Sequence, residues 1–185
     1  MNGVFAHLTP TGLGPWGDGM ARLVLQPLDL LLLVTLVLLA VQSARPSMDR
    51  LGLVLPLSWL LGGLVGLGVG KEWPLALPCT ALVTVVAMVV SLGLVLRIGD
   101  RLLLGSTAGL GFFFGLAAGS SLAGHGGALA SLLGEAVAIA VLTALLLMAL
   151  APPHPRWLTL GLRVMGSWIA ASGLLMLGWQ SRHPF

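Results

Sequence analysis

Two carboxylates stand where an apolar chain is least able to keep them. Asp29 opens the stretch LVLQPLDLLLLVTLVLLAV, and Glu135 lies inside LASLLGEAVAIAVLTALLLMAL. A charged side chain at the centre of hydrocarbon costs about 2.5–3.5 kcal/mol on insertion scales, so such residues are paired, wetted or functional. Carboxylates gather cations. With the imidazoles of His7 and His125 and the carboxylate of Asp18 they make a donor set suited to nickel, cobalt or zinc. A structural role competes for Asp29, since an acidic residue just after Pro27 can face the positive end of a helix dipole. Glu135 is past the first turn of its span, where that explanation is weaker. His125, flanked by glycines, also reads as a solvated loop residue.

The elements that must position these groups follow from composition. Of 185 residues 57% are hydrophobic and only 8% charged, against about 25% charged in soluble domains. Such a chain cannot cover a water-facing surface and is expected to be an integral membrane protein with the lipid bilayer as its first partner. The absence of period-2 alternation argues against a transmembrane barrel. Nine Lys and Arg against six Asp and Glu set orientation in such a protein rather than nucleic-acid binding. Cys79, the single cysteine, has no disulfide partner in the chain and reads as a small core or lipid-facing residue. The opening MNGVFAHL lacks the basic start and apolar core of a secretory signal.

Apolar runs of around 20 residues are needed to cross about 30 Å of hydrocarbon. Six are read, at approximately 27–41, 51–70, 74–96, 102–121, 128–150 and 158–179, with 1–26 as an outer N-terminal segment. The expectation is an all-α polytopic membrane protein, 1–185 forming one compact six-helix bundle. QSARPSMDR, GKEWP, RIGDR, GHGG and APPHPRW supply the turns, and loops this short predict antiparallel packing of consecutive spans. Arg45, Arg50, Arg97, Arg101, Arg156 and Arg163 fall in or beside the odd loops, with Lys71 and Arg182 on the opposite side. The odd loops therefore face the cytoplasm and both termini lie outside, with Arg22 as a count against. On this topology His7, Asp18, Asp29, His125, Glu135 and His183 share the outer side, which predicts an outward vestibule where Asp29 and Glu135 converge. Gly62, Gly66 and Gly70, and again Gly111, Gly115 and Gly119, recur every fourth residue; small residues at that spacing let helix backbones approach inside a membrane.

The order HLTPTGLGPWGDGM…QPLDLLLLVTLVLLA, a basic loop, LPLSWLLGGLVGL, then GLGFFFGLAAGSS and RVMGSWIAASGLLML resembles the HupE/UreJ family of hydrogenase and urease accessory membrane proteins. The resemblance spans essentially the whole chain as a pattern rich in Gly, Leu and Ala. It implies about six spans in a bacterial inner membrane and a nickel or cobalt permease feeding metalloenzyme maturation. Such a protein carries its metal as cargo, has no resident cofactor, and works with maturation proteins, a larger membrane complex or further copies of itself. The family's first-span Asp-His pair corresponds here to Asp29 followed by Leu30. Its fourth-span Phe-His-Gly-His-Ala-His-Gly corresponds to FFGLAAG, with Phe114, Leu116 and Ala118 at the imidazole positions. The glycine frame is kept and the imidazoles are not.

Two other functions compete with the permease. Loss of the imidazoles with retention of the glycine faces is what a noncatalytic scaffold or assembly subunit would show. An intramembrane serine protease of rhomboid type would use Ser121, but its base should be a His on the last span, and that span holds none. No enzymatic activity is expected. A retinal protein is excluded because the one lysine, Lys71, lies in a loop.

Overall fold

The computed structural model describes residues 12–43, 47–70, 75–93, 99–150 and 156–182. Among them the chain is all helical, with seven helices and no strand: α1 (Gly14–Leu25), α2 (Pro27–Ser43), α3 (Ser47–Val69), α4 (Ala76–Ser91), α5 (Asp100–Leu122), α6 (Ala128–Ala149) and α7 (Arg156–Arg182). Four of them, α3, α5, α6 and α7, are long and apolar enough to cross a membrane; α1 and α2, bent by 69° at their junction, make a fifth crossing if taken together. The 16 residues of α4 rise only about 24 Å at 1.5 Å per residue. The six spans read from the sequence, the first of them short, are thus four or five helices that meet the length requirement, and one short apolar helix.

The first span departs most from its sequence reading. Residues 14–25, assigned to an outer segment, form a helix packed on α6. Its end is dictated by Pro27. The residue before a proline is pushed out of the helical region, and Gln26 is extended at φ −98°, ψ 97°. Pro27 has no N–H, so the carbonyl of Leu23 loses the donor that would continue the helix. α2 restarts at once, its Asp29 and Leu30 amides donating to the Gln26 carbonyl at 3.2 and 3.3 Å.

α2 is the axis of the bundle. It touches all six other helices, and Leu32, Leu33 and Leu36–Val41 are buried, as expected for a helix apolar around its whole circumference. Around it α3 packs on α5, α4 on α7, and α1 on α6. Consecutive spans are therefore not the main partners, contrary to what the short loops suggest.

Glycine explains the pairing. A Cβ on Gly62 would fall on the Phe112 carbonyl, one on Gly115 on the Trp59 carbonyl, and one on Gly119 on the Gly63 carbonyl, while Gly66 faces Leu116 and Ser120 and Gly111 faces Ser58 and Leu55. These contacts advance together along both chains, so α3 and α5 are parallel and meet backbone to backbone. Gly70 is not part of this seam; it ends α3 with φ +64° and nothing near its Cβ position. The same device recurs at seams the sequence reading did not mark. Gly19 lies on the backbone of Ser131 and Gly134 on the Trp16 carbonyl, joining α1 to α6 in parallel; Gly166 and Gly173 meet Val90 and Thr84, joining α7 to α4 antiparallel.

The outer surface is apolar. Leu53, Leu57, Leu61 and Leu64 of α3 and Leu160, Trp168, Leu175 and Trp179 of α7 are exposed, a coat that suits hydrocarbon rather than water. The chain is a helical bundle built for a bilayer.

Overfilling the central seam should be costly. Gly115→Val should lower stability by about 1–3 kcal/mol or more. Gly109→Ala, at a helical position where a Cβ meets nothing, should be neutral or stabilise by about 0.5–1 kcal/mol. Thermal unfolding of both variants in detergent micelles checks this; equal melting temperatures would show that the seam is not close-packed.

Candidate functional site

Most buried hydroxyls in the bundle are accounted for by their own helices. Thr35 donates to Leu31, Thr80 to Ala76, Thr84 to Thr80 and Thr107 to Leu103, at 2.6–2.8 Å, the i−4 bond by which threonine hides its hydroxyl in an apolar helix. Among the buried polar residues that remain is a group of charges. Arg22, Asp29 and Glu135 are 7%, 7% and 0% exposed.

Each reaches the site by a different local cause. Arg22 stands one turn before the end of α1, which stops because of Pro27. Asp29 is in the first turn of α2, on the other side of the same break. Glu135 lies two turns into α6, next to Gly134, the residue that lets α1 approach. The close packing at Gly19 and Gly134 brings Arg22 against α6 at the level of Glu135, with its Nε 3.7 Å from Glu135 Oε2. That is an ion pair, too long for a hydrogen bond. The guanidinium is held at its other side, where Nη2 donates to Ser121 Oγ at 2.6 Å and Ser121 in turn donates to the Ala118 carbonyl at 2.8 Å. Asp29 lies in the electrostatic field of both Arg22 and Glu135, and Cys79 of α4 lies in that of Asp29.

The three groups are over-supplied with acceptors. Both oxygens of Glu135, Oδ2 of Asp29 and Nε of Arg22 are buried and have no hydrogen-bond partner in the protein. Buried polar atoms are normally satisfied, and exceptions call for a reason. With all three ionised, two carboxylates face one guanidinium, a formal excess of one negative charge. Carboxylate oxygens with unused lone pairs are an oxygen-donor environment for a cation.

The structure pairs Glu135 with Arg22 inside the bundle rather than in an open vestibule, with Asp29 within electrostatic reach of both. It does not bring the other sequence candidates with them. His125 is exposed in the α5–α6 turn, its Nδ1 3.3 Å from the Leu122 carbonyl. Asp18 is partly buried on α1, and His7 lies outside the described residues. Among the described residues no three His, Cys, Asp or Glu side chains converge on one point, so the five-residue metal site expected from the sequence is reduced to a carboxylate pair. The positions that the resemblance assigns to imidazoles are packing positions. Phe114 is buried with its ring 6.0 Å from that of Trp59, Ala118 is buried too, and Leu116 lies on the seam toward Gly66.

Arg22 is the residue that sequence reasoning missed. In the sequence it lengthens the short first span and counts against the predicted orientation, with no part in the site. The signal was available: a lone arginine in the apolar segment GPWGDGMARLVL needs a counter-charge if that segment is a membrane helix, and the chain holds two carboxylates of the same rarity. Ser121, read only as an unactivated nucleophile, proves to be the anchor of the guanidinium.

No protein-family model, no curated protein and no solved structure matches the chain. Fold and site therefore rest on their own geometry.

Charge balance orders the effects of substitution. Arg22→Gln leaves two buried carboxylates facing each other and should cost about 3–5 kcal/mol, the range for breaking a buried pair. Asp29→Asn or Glu135→Gln leaves one carboxylate with one guanidinium and should cost clearly less. Unfolding of the three variants in micelles tests the order; an Arg22→Gln protein as stable as Glu135→Gln would show that the guanidinium does not balance the pair.

Proposed function

We propose that the chain is a divalent-cation permease of HupE/UreJ type, with the Asp29–Glu135 pair as the site its cargo visits. One observation carries the reading: two buried carboxylates with unused oxygens sit at the break between two half-helices. Ion sites of transporters are commonly built at such discontinuities, where released carbonyls and helix ends face the bundle interior. The sequence resemblance supports nickel or cobalt as the cargo. The donor set itself, oxygen without imidazole, favours a harder and more weakly held ion.

In this reading α1 and α2 together form the first of six crossings, α4 a thin one, and the arginine-rich loops face the cytoplasm of a bacterial inner membrane. Released metal would serve metalloenzyme maturation. A scaffold or assembly role is the second reading. It is favoured by the partial balance of the site by Arg22 and by the packing of the imidazole positions.

Cellular nickel, cobalt, zinc and copper in cells expressing wild type, Asp29→Asn or Glu135→Gln at matched membrane levels separates the two. The permease predicts a rise in one metal that both substitutions abolish; no rise in any metal favours the scaffold. Orientation has its own test. In a Cys79→Ser background, His125→Cys should react with a membrane-impermeant maleimide on intact cells, and Arg101→Cys only after permeabilisation. The reverse pattern would invert the topology.

A further inference from the structure

Every feature of the site that could receive a cation is already turned toward one. The carboxylate of Glu135 pairs with the guanidinium of Arg22 and that of Asp29 lies in its field, yet the fit is incomplete. The Arg22–Glu135 contact is 3.7 Å, and Arg22 Nε donates to nothing. The short bond of the guanidinium goes instead to Ser121, a neutral hydroxyl on α5. An arginine that served only to neutralise carboxylates would be expected to engage them through paired short bonds, the geometry in which the fork is strongest. Here it is held beside them and tied elsewhere. It also stands on the helix that leads into the 69° break, a single turn before the bend at Gln26.

We infer that Arg22 is a tethered counter-cation that competes with the transported divalent cation for Asp29 and Glu135, so that cargo enters the site by displacing the guanidinium. The inference rests on the permease reading above and specifies how its site is guarded. Two carboxylates balance either one divalent cation or, incompletely, the one guanidinium. Both occupants together would bring three positive charges against two negative ones in a medium of low dielectric, where like charges repel strongly. Occupancy is therefore exclusive. Arg22 keeps the carboxylates from standing unpaired when cargo is absent, and its departure with the last turn of α1 links binding to movement about the Gln26–Pro27 break.

The ligand-facing groups come from separate helices: Arg22 from α1, Asp29 from α2, Glu135 from α6 and Ser121 from α5, with Cys79 of α4 beside Asp29. Removing the competitor should strengthen metal binding, which is the reverse of what removing a ligand or a structural strut would do.

The test is equilibrium binding of nickel, cobalt, manganese or magnesium, each alone, to the full chain in lipid nanodiscs, read as bound metal after dialysis. Arg22→Gln should bind the preferred metal about tenfold more tightly than wild type, a shift of the size one lost competing charge can give. Ser121→Ala, which loosens the guanidinium without removing it, should tighten binding by about two- to tenfold, the range for one hydrogen bond. Glu135→Gln should weaken it. If Arg22→Gln does not fold, Ser121→Ala decides alone. Wild-type binding that is unchanged or weakened by both Arg22→Gln and Ser121→Ala overturns the competition and leaves the permease reading standing. Binding by neither wild type nor the folded variants at millimolar metal overturns both.

Discussion

A guanidinium inside a helical membrane bundle has to be answered by charge, and much of the site's architecture follows from how Arg22 is answered. Two carboxylates on other helices answer it, Glu135 by an ion pair and Asp29 through its field. They come from the start of α2 and from two turns down α6, so α1 must lie close to α6 and must stop just past Arg22. Both conditions are met by residues with no charge at all. Gly19 and Gly134 remove the Cβ atoms that would hold the helices apart, and Pro27 ends α1 by bending its predecessor and withholding an N–H. The charged group is thus positioned by the chain's smallest and stiffest residues.

The remainder of the bundle uses the first of these devices repeatedly. Lipid tails offer helices no hydrophobic reason to associate, so affinity comes from packing and from backbone proximity. The α3–α5 seam, five glycines deep, the α4–α7 contact at Gly166 and Gly173, and the α1–α6 contact enclose α2. Because α2 is apolar on every side, it needs no orientation of its own except at Asp29. That single charged residue favours the rotation that keeps it in the field of Arg22. Ser121 completes the arrangement by tying α5 to α1, so that the central seam and the peripheral pair meet at the guanidinium.

How much of this was legible depended on whether the signal was local. The all-helical membrane class, the glycine faces of α3 and α5 and the oddity of Asp29 and Glu135 are properties of short windows, and the sequence displays them. The break at Gln26–Pro27 was equally local, but it sat at the edge of a hydropathy run whose start was taken as a span boundary, which hid α1. Partner choice was not local. Short loops suggest that neighbours in sequence are neighbours in space, whereas the seams join helices that are not consecutive, two of them in parallel and α4–α7 antiparallel. Gly19, Gly134, Gly166 and Gly173 do not recur every fourth residue, so nothing in their spacing marked them. His125 resembles a ligand by its type, but it is exposed in a turn built on Gly124 and Gly127 at φ +82°, whereas the carboxylates are buried.

The fate of the imidazole positions bears on what kind of cation such a site could serve. Phe114 and Ala118 are spent on the α3–α5 seam, where imidazole would have to give up either its packing or its hydrogen bonds. A lineage that filled those positions with hydrocarbon would lose the nitrogen donors that discriminate nickel and copper from harder ions. The donors present, two carboxylates, offer charge and little preference of geometry. Selectivity would then have to come from what must be displaced rather than from what is bound. A tethered guanidinium sets that threshold: a monovalent ion cannot match two carboxylates better than Arg22 already does, and only a higher charge gains enough to move it. On the permease reading, discrimination by charge density has taken the place of discrimination by ligand softness.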